Sequence, residues 1–122
     1  MKLLLDTNAL IRWHAGTLRA PAVSVVERAD AVAVSPVSAW EIAIKRTLGK
    51  LRFGDAVEAV AERYGFDELP VTLRHADRLS DLPAHHSDPF DRLLIAQALE
   101  EGFTILTSDR AFEAYRVPVV WA

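Results

Sequence analysis

Four acidic residues, Asp6, Glu41, Asp91 and Asp109, are spaced so that one fold could bring them to one site. Asp6 ends the apolar run Leu3-Leu4-Leu5, and Asp109 stands just past Phe103 to Thr107. Each of these two, taken alone, is explained as the N-cap of a following helix, a position that Asp favours. Glu41 falls in a helix opened by Ser35-Pro36 and running to about Leu48. With Val37 at 0°, the residues Val37, Trp40, Ile44 and Leu48 span about −60° to +20° and are expected to form the buried stripe, with Glu41 on its border at about 40°. The plainer reading of Glu41 is a solvated pair with Lys45 one turn on. A capping box from Ser38 to Glu41 is a further reading, although Pro36 places the helix start earlier. Asp91 is the most informative. With Leu94 at 0° in the helix after Pro89, Phe90 lies at about −40°, Ala98 at about 40° and Asp91 at about 60°, inside the apolar arc. An acid at the third helical position complements the helix dipole, but Asp88 already serves as the N-cap, so an inward-facing second acid exceeds what capping requires.

Carboxylates that converge repel one another, and their pKa values rise unless a cation sits between them. Hard divalent cations such as Mg²⁺ or Mn²⁺ take oxygen ligands, and Thr7, Asn8 and Ser108 are placed to hydrogen-bond the ligands or their waters. The chemistry that suits such a centre is phosphodiester hydrolysis, in which the cation activates a water and stabilises charge on the leaving oxygen.

Elements that alternate along the chain would have to position these acids. Leu3–Leu5, Ala31–Val34, Phe66–Val71, Phe103–Thr107 and Val117–Trp121 read as short, continuously apolar strands. Helices are expected over Thr7–Ala15, Ala22–Ala29, Pro36–Leu48, Asp55–Tyr64, Thr72–Leu79, Pro89–Glu101 and Asp109–Tyr115, punctuated by Gly16, Gly49, Gly65 and Gly102. Such strands belong to a parallel sheet covered on both faces, an α/β fold whose sites lie at the carboxyl ends of the strands. Asp6 and Asp109 are therefore expected on one edge.

The chain of 122 residues is one domain, spanning residues 1–122, with 51% hydrophobic and 25% charged residues. It has no cysteine, which excludes thiolate metal sites and disulfides and suits a reducing, cytoplasmic compartment. The opening apolar run of three leucines is too short for a signal peptide or a membrane span. The formal charge of −3 argues, on its face, against a nucleic-acid partner. His14, His75, His85 and His86 show no metal-ligand repeat, and His85-His86 reads as an exposed loop pair near the site. Lys45, Arg46, Lys50 and Arg52 form a basic cluster that is either an ordinary helix end or a phosphate contact. Arg92 and Arg110 each follow a candidate ligand directly and are further candidates for contact with a phosphate; Arg92 could equally pair with Asp88.

Four segments carry a resemblance. They are Leu4-Leu5-Asp6-Thr7-Asn8-Ala9-Leu10, Ser38-Ala39-Trp40-Glu41-Ile42-Ala43-Ile44-Lys45, His86-Ser87-Asp88-Pro89-Phe90-Asp91-Arg92-Leu93-Leu94-Ile95-Ala96-Gln97-Ala98 and Leu106-Thr107-Ser108-Asp109-Arg110-Ala111-Phe112. In this order, across nearly the whole chain, they resemble the PIN-domain ribonucleases and more closely the VapC toxins of type II toxin–antitoxin pairs. The resemblance implies a five-stranded parallel sheet between helices. It also implies an acidic site of Asp6, Glu41, Asp91 and Asp109 binding Mg²⁺ or Mn²⁺, with Asn8, Thr107 and Ser108 as polar neighbours. It implies cleavage of tRNA or rRNA, a homodimer, and inhibition by a VapB-type antitoxin. Where some relatives carry a further acid after the fourth, this chain reads Arg110-Ala111-Phe112.

Other classes fit less well. A phosphoacceptor receiver domain needs a Lys near the last strands, and none follows Phe103. A haloacid-dehalogenase-like phosphatase needs an acid where Asn8 stands. A non-catalytic PIN-fold module and a DNA-directed nuclease are the remaining alternatives. The charge objection also weakens on inspection: with the four acids set aside as ligands, the formal charge of the remainder becomes +1, and eleven of the fourteen bases are Arg. RNA binding is then expected to rest on a few placed arginines and to show a modest salt dependence.

Overall fold

Leu3, Leu4 and Leu5 form the central strand of the molecule because nothing polar interrupts them and both faces of the strand are covered. In the computed structural model, which describes residues 1–122, this strand is β1 (Lys2–Leu5). It is followed by α1 (Thr7–Ala15), α2 (Ala20–Arg28), β2 (Ala31–Val34), α3 (Pro36–Thr47) and α4 (Val57–Tyr64). The chain continues through β3 (Asp67–Glu68), α5 (Leu73–Arg78), α6 (Pro89–Glu101), β4 (Thr104–Thr107) and β5 (Val119–Trp121), with short 3-10 turns at Leu79–Asp81 and Arg110–Ala114. The five strands form one wholly parallel sheet in the order β3-β2-β1-β4-β5.

Alternation along each strand divides the core into two layers. Leu3, Leu5, Val32, Val34 and Leu106 pack with Leu10, Val26 and Val60 on one face. Leu4, Ala33 and Ile105 pack with Leu94, Ile95, Ala98 and Phe112 on the other. Helix ends follow local chemistry. Gly16 and Gly102 end α1 and α6 in the left-handed conformation, with φ of 75° and 74°, which a residue with a Cβ adopts at a cost. The Ser35 hydroxyl accepts the Val37 N–H at 3.0 Å and caps α3, with Pro36 in the first turn. Ser35→Ala is expected to lower stability by about 1 kcal/mol. A urea unfolding midpoint unchanged from wild type would show that this cap contributes nothing.

Three expectations need correction. The strand expected over Phe66–Val71 is reduced to Asp67–Glu68, because Pro70 has no N–H to extend an edge ladder after Leu69 donates to Val34. The helix expected from Asp55 begins at Val57, and Asp55 instead meets His14 at 2.9 Å. The buried face of α3 runs through Val37, Ser38, Glu41 and Ile42, while Trp40 and Leu48 are 59% and 61% exposed and Ile44 is also exposed. The helix is thus turned by about 90° from the expected stripe. The small Ser38 lets α3 sit closely against α1, where its hydroxyl accepts from that of Thr7 at 3.1 Å.

Candidate active site

The parallel sheet carries the carboxyl ends of its strands to one edge, and the four acids gather there. Asp6 leaves β1 with its N–H donated to Leu106 of β4 at 3.1 Å, so the two strand ends are joined at the site. Its carboxylate caps α1 by accepting the Ala9 N–H at 2.8 Å. Burial pushes the Asp6 carboxyl above its ordinary range. Thr107 and the Ala9 N–H draw it partly back, and the charges of Asp109 and Glu41 raise it further. Glu41 is brought in by the inward turn of α3. One of its oxygens meets Lys45 Nζ at 2.8 Å, and the other, Oε1, is buried with no hydrogen-bond partner.

Asp91 lies in the first turn of α6, below the Asp88 cap, which accepts the N–H groups of Phe90 and Asp91. Burial pushes the Asp91 carboxyl up to about 7, with Asp88 and Asp6 adding repulsion and His86 opposing it. Asp109 caps the turn Arg110–Ala114 through the Ala111 N–H at 2.9 Å, and its own N–H donates to the Thr107 hydroxyl at 3.0 Å. His86 stands between these last two acids, with Nε2 at 2.9 Å from Asp91 and 3.6 Å from Asp109. One donor atom from each of His86, Asp91 and Asp109 lies within 4.8 Å of the others. Asp6 and Glu41 stand outside that tight group but share its field, since Asp6 feels both Asp109 and Glu41 and Asp91 feels Asp6.

His86 is the residue that sequence reasoning underrated. It is half-buried, not an exposed loop residue, because its backbone N–H donates to the Tyr115 hydroxyl at 2.9 Å. Its separation of five residues from Asp91, across a helix N-terminus, is the signal that could have found it. Of the polar neighbours, Thr7 and Thr107 are buried within the site's hydrogen bonds, while Asn8 and Ser108 are exposed at its rim. Of the basic candidates, Lys45, Arg46, Arg92 and Arg110 have partners within the chain, whereas Lys50 and Arg52 make no ion pair. Lys45 is held by Glu41, and Arg46 donates to the carbonyls of Phe53 and Asp55. Arg110 pairs with Glu113 and lies 4.1 Å over the Trp121 ring. Arg92 does not pair with Asp88; it donates to the carbonyls of Pro83 and Leu79 and to the Tyr115 hydroxyl, tying down the loop that carries His86.

The donor set suits a divalent cation. It consists of carboxylate oxygens with one imidazole, the Glu41 Oε1 lacks a partner in a buried position, and two acids are raised by burial and by the charges of neighbouring acids. A cation held by these groups would satisfy all three conditions together.

Comparison with known proteins agrees with this architecture. The family model described as the PIN domain matches residues 3–118. Ribonuclease VapC22 of Mycobacterium tuberculosis is 30% identical over 128 residues, covering 97% of each chain. Among solved structures, VapBC2 from Rickettsia felis, bound to a DNA fragment from their promoter, superposes with a TM-score of 0.77 at 12% identity, covering 100% of this chain and 99% of that one. DNA-bound VapBC from Salmonella typhimurium gives 0.74 at 17% identity, covering 99% and 98%. With a family match over nearly its full length and a sheet, strand order and acidic edge to accompany it, the chain belongs to the PIN domain family and, within it, to the VapC proteins.

Proposed function

We propose that this protein is a divalent-metal-dependent endoribonuclease, the toxin of a VapBC-type pair, which hydrolyses phosphodiester bonds in tRNA or rRNA. The observation that carries the reading is the gathering of Asp6, Glu41, Asp91 and Asp109 at the carboxyl ends of β1 and β4, with His86 between Asp91 and Asp109. The naming of the curated relative as a ribonuclease supports it. Asp91, Asp109, Asp6 and Glu41 would hold Mg²⁺ or Mn²⁺, which supplies charge neutralisation and Lewis-acid activation of water when bound. The chain's own residues prepare that site. His86 holds the Asp91 carboxylate in place, the Ala9 and Ala111 N–H groups fix Asp6 and Asp109, and Lys45 holds one oxygen of Glu41. The deciding experiment is sequencing of RNA 5′ ends after induction of the wild type and of Asp91→Asn. Discrete new ends in the wild type alone support the reading, and identical ends in both would overturn it.

Two partners belong to the same reading. The VapBC structures that share this fold support a VapB-type antitoxin. The outward face of α3, with Trp40, Ile44 and Leu48 one turn apart, supports a homodimer, because such a stripe is apolar and exposed, with only the Trp40 ring set edge-on against Phe90. Trp40→Ser combined with Leu48→Ser is expected to weaken self-association on the order of 30-fold or more. Sedimentation equilibrium checks this, and an unchanged dimer would place the interface elsewhere.

A further inference from the structure

A cleft lies beside the acidic cluster and shares Tyr115 with it. It is a cavity of about 480 Å³ between the turn Leu79–Asp81, residues 82–87 and the chain leaving the turn Arg110–Ala114. That volume lies in the range of about 300–1,000 Å³ typical of small-ligand sites. Leu82 and Pro83 give it an apolar wall. His85 supplies an exposed ring, set edge-on to the buried Tyr115 ring at 5.6 Å. Two cations line it. Arg78 is already held by Glu100 at 2.9 Å, whereas Arg116 is exposed and makes no ion pair within the chain. Asp81 is the one acid of the lining and offers an acceptor.

The cleft is physically joined to the acidic cluster. The Tyr115 hydroxyl, at its edge, accepts the N–H of His86 and an N–H of Arg92. His86 in turn contacts Asp91 and Asp109. At its far end, Leu99 stands eight residues along α6 from Asp91, about 12 Å away. The near wall of the cleft is formed by His85, the residue next to His86, so a strand lying across Asp91 would meet the cleft at the His85 ring.

We infer that this cleft is a subsite for an unpaired RNA nucleotide that flanks the cleaved phosphodiester. The base lies against His85 and the Leu82–Pro83 wall, and the phosphate is met by Arg116. A flat ring, an apolar wall and one free guanidinium match a nucleotide, whose base stacks through its face and whose phosphate carries the charge. Asp81 can accept from an exocyclic amine or ring N–H of the base. The inference rests on the ribonuclease reading.

The test has two arms. In the first, steady-state cleavage of a single-stranded RNA oligonucleotide is compared for the wild type, Arg116→Ala and Arg116→Lys. The expected result is a KM raised about five-fold or more by Arg116→Ala, with kcat little changed and partial recovery in Arg116→Lys. In the second, the metal-free protein is titrated with 5′-AMP, 5′-UMP and inorganic phosphate while the amide resonances of Leu82, Ala114 and Arg116 are followed. Nucleotides are expected to shift them, and phosphate alone is expected to shift Arg116 only. An unchanged KM in an active enzyme overturns the subsite and leaves the ribonuclease reading standing. Equal shifts from nucleotide and phosphate overturn the nucleotide assignment. If the wild type cleaves no RNA, it is the ribonuclease reading that fails. The titration then decides the cleft alone: resonances that move support nucleotide binding there, and resonances that do not move overturn it.

Discussion

Asp91→Asn is expected to reduce RNA cleavage by at least about 10²–10³-fold, the loss typical when one electrostatic element of a preorganised site is removed. The protein should remain folded, and the reason lies in the cap. Asp88, not Asp91, accepts the first free N–H groups of α6, so the helix start survives the substitution. The asparagine oxygen can still accept from His86 Nε2, which preserves the loop. The change removes a carboxyl that is buried and repelled by Asp88 and Asp6. It forfeits a favourable dipole interaction of about 0.3–1 kcal/mol at the helix N-terminus. Above neutral pH, the metal-free variant is therefore expected to melt no lower than wild type. Full cleavage by a folded Asp91→Asn protein would remove Asp91 from the site.

The second large effect concerns pH. In chelator, the wild type is expected to lose stability as pH rises from about 4 to above 7. Folded Asp91 holds its proton up to about 7, whereas the unfolded chain releases it near 3.8. The folded state thus binds more protons throughout that window, and stability falls as pH rises through it. The stabilisation is fully present below the unfolded pKa and gone above the folded one. Asp6, also raised, acts in the same direction. The loss assigned to Asp91 is on the order of 2–4 kcal/mol. Asp30, lowered by the amino terminus, acts in the opposite direction but below this window, as pH rises toward 3.8, and the clean quantity is the difference between wild type and Asp91→Asn. Mg²⁺ or Mn²⁺ is expected to raise the wild-type Tm more at pH 7.5 than at pH 5, because protons and cation compete for the same oxygens. Saturation at about 100 times Kd corresponds to about 2.7 kcal/mol. Thermal melts at the two pH values check both statements. A wild-type Tm that climbs relative to Asp91→Asn across this window would overturn the account.

Much of the framework was legible because it depends on short-range rules. Apolar runs too short to be helices, each stopping at a polar residue, marked β1, β2 and β4, and parallel strands must present their carboxyl ends on one edge. The sequence alone therefore assigns Asp6 and Asp109 to the same edge. Ser35-Pro36 and Asp88-Pro89 announced the starts of α3 and α6 through a capping side chain followed by a residue that cannot donate its N–H. The formal charge of −3 was misleading only as a total, because four of its acids occupy one small region and the rest of the surface is nearly neutral.

What escaped the sequence was absolute orientation and long-range pairing. Periodicity fixes the angles between residues on one helix but not the phase of that helix against a sheet. A stripe of Trp40, Ile44 and Leu48 is equally apolar whether the same chain covers it or another does. Only packing against α1 and the sheet turned Glu41 inward and left that stripe outside. The roles of His86 and Arg92 depended on Tyr115, which lies 29 and 23 residues away in the chain. Its hydroxyl pulls the His86 backbone under the acids and uses Arg92 to anchor the loop. By itself, then, the sequence determined the strands, the caps and the identity of the acids, since these follow from neighbours a few residues apart. The tertiary structure alone decided which imidazole joins the acids, which arginines are structural and which apolar face is left uncovered, since these depend on contacts between distant parts of the chain.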